Sequence, residues 1–153
     1  MCAPDLRLCA RKPESFPVSG TDSAGLLGLP ALAGGPAQRI VSLAPGSTEM
    51  LFAAGAGARI VATVYTADEP AAARSIPRIG DANALDYERL IALKPDVVVA
   101  WEDLTNRLVI DSLRKLRLNL YLVRARSLGD IAQSVRRFGT LAGTQPVAEV
   151  AAR

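Results

Sequence analysis

Histidine is absent from the 153 residues. Its absence excludes Ser-His-Asp and Cys-His catalysis and every metal site that needs an imidazole. Thiols are scarce: Cys2 and Cys9 are the two cysteines, both close to the N-terminus, and their spacing fits no zinc pattern. Aromatic residues make up only 5% of the chain, so the core has to come from Val, Leu, Ile and Ala, and the 50% hydrophobic content supplies it. No run of Lys or Arg forms a tail or a patch. The net charge of +3 is spread along the chain without a recognition motif, which gives nucleic acid nothing to bind. Long apolar runs are missing too; Ala24–Ala33 is short and interrupted by Gly28 and Pro30, so it does not span a bilayer. The length suits one ordinary domain.

Residues 1–38 differ in composition from the rest. They are rich in Pro, Gly and Ser and carry no sustained helical or strand period. Two readings stand: a disordered leader, or an atypical secretory signal. The signal reading takes Arg7, Arg11 and Lys12 as the basic region and Ala31-Leu32-Ala33 as the small-residue end of a short apolar run.

From Arg39 onward strand and helix signals alternate. Arg39–Leu43 reads as a strand stopped by Ala44-Pro45-Gly46, and a helix begins at Ser47-Thr48-Glu49, whose side chains suit the unpaired N–H groups of a first turn. Ile60–Tyr65 is a second, β-branched strand. Asp86 caps a helix over Tyr87–Leu93, which Lys94-Pro95 stops. Val97–Trp101 is continuously apolar, as in a parallel strand covered on both faces. Leu104, Leu108, Val109, Leu113 and Leu116 mark a one-faced helix, and Asn119–Val123 is the next strand. Ser127 with Asp130 forms a capping-box-like start to a helix whose face carries Ile131, Val135, Phe138 and Ala142. The pattern predicts an α/β fold, a Rossmann-like lobe with a parallel sheet flanked by helices.

Ligands of such sheets bind outside the carboxyl ends of the strands. That rule selects the loops Pro45–Glu49, Tyr65–Pro70, Gly80–Asn83 and Trp101–Asp103. The first of them lacks the glycines of a dinucleotide fingerprint and the Gly-Lys-Ser/Thr of a phosphate loop. The carboxylates Glu49, Asp68, Asp81, Glu102 and Asp103 are either solvated or the oxygen ligands of an acid/base or metal site. Trp101, the single tryptophan, is either a plug over the sheet edge or an apolar wall for a flat ligand. Tyr65 has the same two readings at the end of the second strand. Asp81 and Asn83 are explained by turn chemistry or by a ligand, and Glu88 by the dipole of its helix.

Several blocks, in order, resemble one family. They are Arg39-Ile40-Val41-Ser42-Leu43-Ala44-Pro45-Gly46-Ser47-Thr48-Glu49, Ala54-Gly55, Asp68-x-Pro70, Ile76–Asp81 and, most strongly, Glu88–Trp101. The chain over about residues 39–150 resembles the periplasmic substrate-binding proteins of ABC importers, of the cobalamin, iron-siderophore and haem class. The resemblance implies two Rossmann-like lobes joined by a long helix, with ligand held between them and delivered to a membrane permease and its ATPase subunits. It implies a periplasmic location and no catalysis, cofactor or metal ligands of the protein's own. Trp101 looks like the cleft tryptophan, and Tyr65 lies one position from the family's cleft tyrosine, whose place Thr66 takes. Pro45, Ser47, Asp81 and Asn83 complete the implied ligand edge, and Glu88 looks like the glutamate that docks to the permease. The further aromatic often found near Ala82 is missing, which leaves the ligand open among cobalamin, siderophore and haem.

On this reading residues 39–153 form the N-terminal lobe, Ile131–Arg153 resembles the start of the joining helix, and a second lobe is absent. Two alternatives accompany it: a small metal-dependent α/β enzyme that uses the edge carboxylates, and a lone interaction module that forms a homodimer through an exposed joining-helix face bearing Val135 and Phe138.

Overall fold

In the computed structural model, which describes residues 34–153, four short strands lie parallel in one sheet. They are β1 (Ile40–Ser42), β2 (Ile60–Thr63), β3 (Val97–Trp101) and β4 (Leu120–Val123), in the spatial order β2-β1-β3-β4. Between and after them run the helices α1 (Pro45–Ala53), α2 (Tyr87–Ala92), α3 (Arg107–Lys115), α4 (Leu128–Ala142) and α5 (Gln145–Ala151), with single 3-10 turns at Gly57–Arg59 and Ala71–Ser75. The leader or signal reading of residues 1–33 lies outside the described residues. Of the segment that follows, Ala37 is already buried and its N–H reaches the Leu141 carbonyl at 2.8 Å, so the folded unit includes residues before Arg39.

The period of two in the strands sorts side chains to opposite faces. Ile40, Val97, Val99, Tyr121 and Val123 face one core with Met50 and Leu51 of α1, Val135, Phe138 and Leu141 of α4 and Ala148 of α5. Val41, Ala62, Val98 and Ala100 face a second core with Leu90 of α2 and Val109 and Leu113 of α3. Helices therefore cover both faces. β3 is the strand that needs both: Val97, Val98, Val99 and Ala100 are all 0% exposed. Among the described residues no helix is long and apolar enough to cross a membrane.

Three expectations are corrected. The first helix begins at Pro45, not Ser47. Proline has the φ of a first helical residue and no N–H to leave unpaired, and Ala44 stands at the N-cap without a side-chain bond. Ser47 and Thr48 instead turn inward: Ser42 Oγ meets Ser47 Oγ at 2.8 Å and Thr48 Oγ1 at 2.9 Å, and Thr48 Oγ1 meets Thr63 Oγ1 at 3.0 Å. The four hydroxyls tie β1, β2 and α1 together in the interior.

The helix after β3 begins at Arg107, not Leu104, because Asn106 caps it by accepting the Leu108 N–H at 2.9 Å. Its buried face is Val109, Ile110 and Leu113, while Leu104 and Leu108 stand in solvent.

The last helical stretch is two helices. Gly143, at φ 69°, ends α4 in the left-handed conformation that glycine adopts without penalty, and α5 folds back on α4. The fold-back is close: a Cβ on Gly139 would lie 2.3 Å from that of Ala148. Val135 and Phe138 are buried, at 4% and 0% exposure, in the core that α4 shares with the sheet and α1, and offer no dimerisation face. Phe138 meets the Tyr121 ring edge-on, with centroids 5.6 Å apart.

The Ser127 capping box forms in full. Ser127 accepts the Asp130 N–H, and the Asp130 carboxylate accepts the N–H groups of Arg126 and Ser127 at 2.9 and 3.0 Å. The Arg126 N–H first, then the Ser127 contacts, hold the Asp130 carboxyl below its ordinary pKa.

Two outcomes are expected. Phe138→Ala costs about 3–5 kcal/mol of unfolding free energy, measurable by urea denaturation, whereas a surface role would leave stability unchanged. Asp130 has a depressed folded pKa, so its contribution is present above the unfolded carboxyl value and lost as pH falls through the folded one. Asp130→Asn should therefore lower the melting temperature at neutral pH and converge with the parent chain as pH falls through the depressed folded value.

Candidate functional site

The carboxyl ends of β1 and β3 lie side by side although the two strands are far apart in sequence. Chain order reverses there: β1 leads outward to β2 on one side, and β3 leads to β4 on the other. Such a switch point opens a crevice at the strand ends. Trp101, the last residue of β3, fills one wall of it, half-buried.

Gly46, in the first turn of α1, makes room for the indole. A Cβ there would come within 2.8 Å of Trp101 Cζ3. The ring is thus laid against the backbone at the start of α1, beside the half-buried Pro45. Behind it the chain is pinned: the Trp101 carbonyl accepts the N–H groups of Leu104 at 3.2 Å and Thr105 at 2.8 Å.

Further along the edge the loops are linked by backbone bonds. The Tyr65 N–H donates to the Gly80 carbonyl at 2.9 Å, and the Asn106 N–H to the Ala82 carbonyl at 3.1 Å. Gly80 has φ 134°, and a Cβ there would meet the Ala84 carbonyl oxygen at 2.2 Å, so glycine is required. Asp81 closes the turn by accepting the N–H groups of Asn83 at 2.8 Å and Ala84 at 2.9 Å. Those two donors hold its carboxyl below the ordinary range, so it stays ionised.

The predicted residues sort as follows. Trp101 lies at the switch point against Gly46, the residue that follows Pro45. Tyr65 lies at the neighbouring loop, 62% exposed. Asn83 is exposed at the tip of the Asp81 turn, which turn chemistry alone explains. Ser47 does not reach the edge: it is 0% exposed and its hydroxyl bonds to Ser42 and to the Ala44 carbonyl. Glu88 is exposed in the first turn of α2. Among the described residues no group of three or more His, Cys, Asp and Glu is gathered to hold a metal ion.

Sequence reasoning missed three participants. Gly46 was read as part of the Ala44-Pro45-Gly46 stop to the first strand, with no contact to Trp101 assigned to it. Arg124 and Arg126, in the loop after β4, pair with Glu102 and Asp103 beside Trp101; the Arg126–Asp103 distance is 3.8 Å. Their signal was position, directly after the carboxyl end of a strand.

The Gly46 contact yields a test. Gly46→Ala should displace the indole toward water, shifting the Trp101 emission to longer wavelength while the far-ultraviolet circular dichroism is kept. Unchanged emission would show that the ring does not lie on Gly46.

With this geometry in view, comparison with known proteins is informative. The family model described as "Periplasmic binding protein" matches residues 40–150. A vitamin B12-binding protein of Pectobacterium carotovorum is 33% identical over 115 residues, which are 75% of this chain and 42% of that protein. The crystal structure of the periplasmic vitamin B12 binding protein of Vibrio cholerae superposes with a TM-score of 0.73 at 32% identity, over 76% of this chain and 46% of that one. A periplasmic heme binding protein of Pseudomonas aeruginosa, at 24% identity, shares the fold with a TM-score of 0.67 over 74% of this chain and 41% of its own. The chain spans less than half the length of these relatives.

Proposed function

We propose, since the chain belongs to the periplasmic binding protein family, that it is a substrate-binding component of a bacterial ABC importer for vitamin B12 or a related metal chelate. Its place is the periplasm, and it hands its ligand to a membrane permease served by ATPase subunits. The observation that carries this reading is the half-buried Trp101 indole, packed against Gly46 at the sheet's switch point. An aromatic plane held by the fold suits a flat or bulky chelate, because it offers contact area with little side-chain entropy left to lose.

Relatives named for vitamin B12 reach 33% identity, against 24% for the heme-binding structure, which favours cobalamin among the chelates. Pro45 and Tyr65 extend the contact surface to either side of Trp101, and the Asp81–Asn83 turn forms its polar rim. Glu88, exposed on α2, is the docking residue for the permease. The edge binds and presents its ligand, in keeping with a family of binding proteins.

The test is a titration of the chain with cyanocobalamin. Trp101 is the only tryptophan, so fluorescence quenching reports on one site, and calorimetry measures the same isotherm. Saturable quenching is expected, and Trp101→Ala should weaken the calorimetric affinity about tenfold or more, equivalent to about 1.4 kcal/mol. A chain that is folded by circular dichroism and gives neither heat nor quenching would refute the corrinoid reading.

A further inference from the structure

The residues immediately after Trp101 are both acidic, and each is matched to an arginine from the loop after β4. Glu102, the more buried at 28% side-chain exposure, forms a two-pronged pair with Arg124 through Nε and Nη2. Asp103 lies 3.8 Å from Arg126. The same arrangement recurs after β2, where Asp68 pairs with Arg78 and Glu69 with Arg74, each at 3.3 Å. Four of the six ion pairs among the described residues therefore stand in segments that follow a strand's carboxyl end. Arg107, at the start of α3, has no such partner among the described residues.

Exposed pairs of this kind add little to stability. Their consequence is electrostatic. An arginine fork already occupied by a carboxylate of its own chain is not offered to a carboxylate of a ligand. The two acids next to Trp101 in the chain and the two arginines thus offset one another in charge: Glu102 grips Arg124 through two prongs, and Asp103 pairs more loosely with Arg126.

We infer that Glu102 and Asp103 are specificity-determining residues that, by occupying Arg124 and Arg126, make this edge select macrocyclic chelates with uncharged amide side chains over those with carboxylates. The inference rests on the chelate-binding reading above and goes further, since that reading leaves the ligand's charge open. It requires that removing the two acids turn a neutral edge into an anion-binding one.

The probes are cyanocobalamin and its tricarboxylic derivative, in which three peripheral amides are hydrolysed to acids on an otherwise unchanged ring. The unmodified chain should bind the derivative at least about tenfold more weakly than cyanocobalamin at low salt. In the double variant Glu102→Gln, Asp103→Asn, that ratio should fall to near one or invert, and added salt should restore it. Adding Arg124→Gln and Arg126→Gln to the double variant should abolish the gain. Circular dichroism and urea denaturation check that each variant is folded. Equal affinity of the unmodified chain for both probes overturns the inference, as does an unchanged ratio in the double variant; cyanocobalamin binding itself would still uphold the reading it rests on. If cyanocobalamin does not bind, haemin and its dimethyl ester form the second pair. A preference for the ester that the double variant loses sustains the inference while the corrinoid reading fails, and no preference overturns both.

Discussion

A strand that is apolar on both faces cannot sit at a surface, and β3 is such a strand. Val97 to Ala100 are sealed from solvent, and β1 and β4 satisfy the strand's backbone groups from either side. An exposed face would leave its valines in water, at roughly 1.5–3 kcal/mol for each side chain not buried. Helices must therefore cover both faces of the sheet: α1 and α4 on one, α2 and α3 on the other. Parallel pairing follows from the same demand, since helical crossovers are what carry the chain back to start each next strand.

Placing β3 in the centre also places Trp101. The strand's last residue emerges beside the end of β1, and α1 starts three residues after that end. The Ser42, Ser47, Thr48 and Thr63 hydroxyls lock α1 to β1 and β2 from inside, and no buried side-chain polar atom is left unpaired among the described residues. Because α1 cannot drift, Gly46 presents a fixed surface and the indole rests on it. The apolar wall at the edge is thus a product of interior packing, with no contribution from loop flexibility.

Much of this was legible from the residues. The run Val97–Trp101 was long enough and apolar enough to be read as a doubly covered strand, and the Asp86 and Ser127 caps were visible as spacings that the structure fills with bonds. What was not legible depended on phase or on distance. Leu104 and Leu108 share a periodic pattern with Val109 and Leu113, yet the turn held by the Trp101 carbonyl delays the helix to Arg107 and rotates those leucines out. Ser47 carries a capping side chain, but Pro45 takes the first helical position and moves Ser47 inward. Val135 and Phe138 read as a free face because the strand and α1 residues that cover them are distant in sequence. The contact between Gly46 and Trp101, like the ion pairs that join the loops after β3 and β4, arises from strand order, which composition and periodicity do not encode.

The same geometry sets the limits of what one edge can do. An aromatic ring on a flat ligand contributes about 0.5–1.5 kcal/mol beyond the area it buries, while micromolar binding needs about 8 kcal/mol. The described edge covers a ligand from one side, and pockets that bind tightly bury most of the ligand surface. A surface facing Trp101 would raise the affinity further, while this lobe supplies a first contact, orientation and rejection. Both are tasks for rigid parts: an indole seated on a glycine, a turn whose Gly80 admits no side chain, and arginines held by their own chain's carboxylates. Each of these restricts which ligand can approach the edge and how, and none depends on how tightly the ligand is finally held.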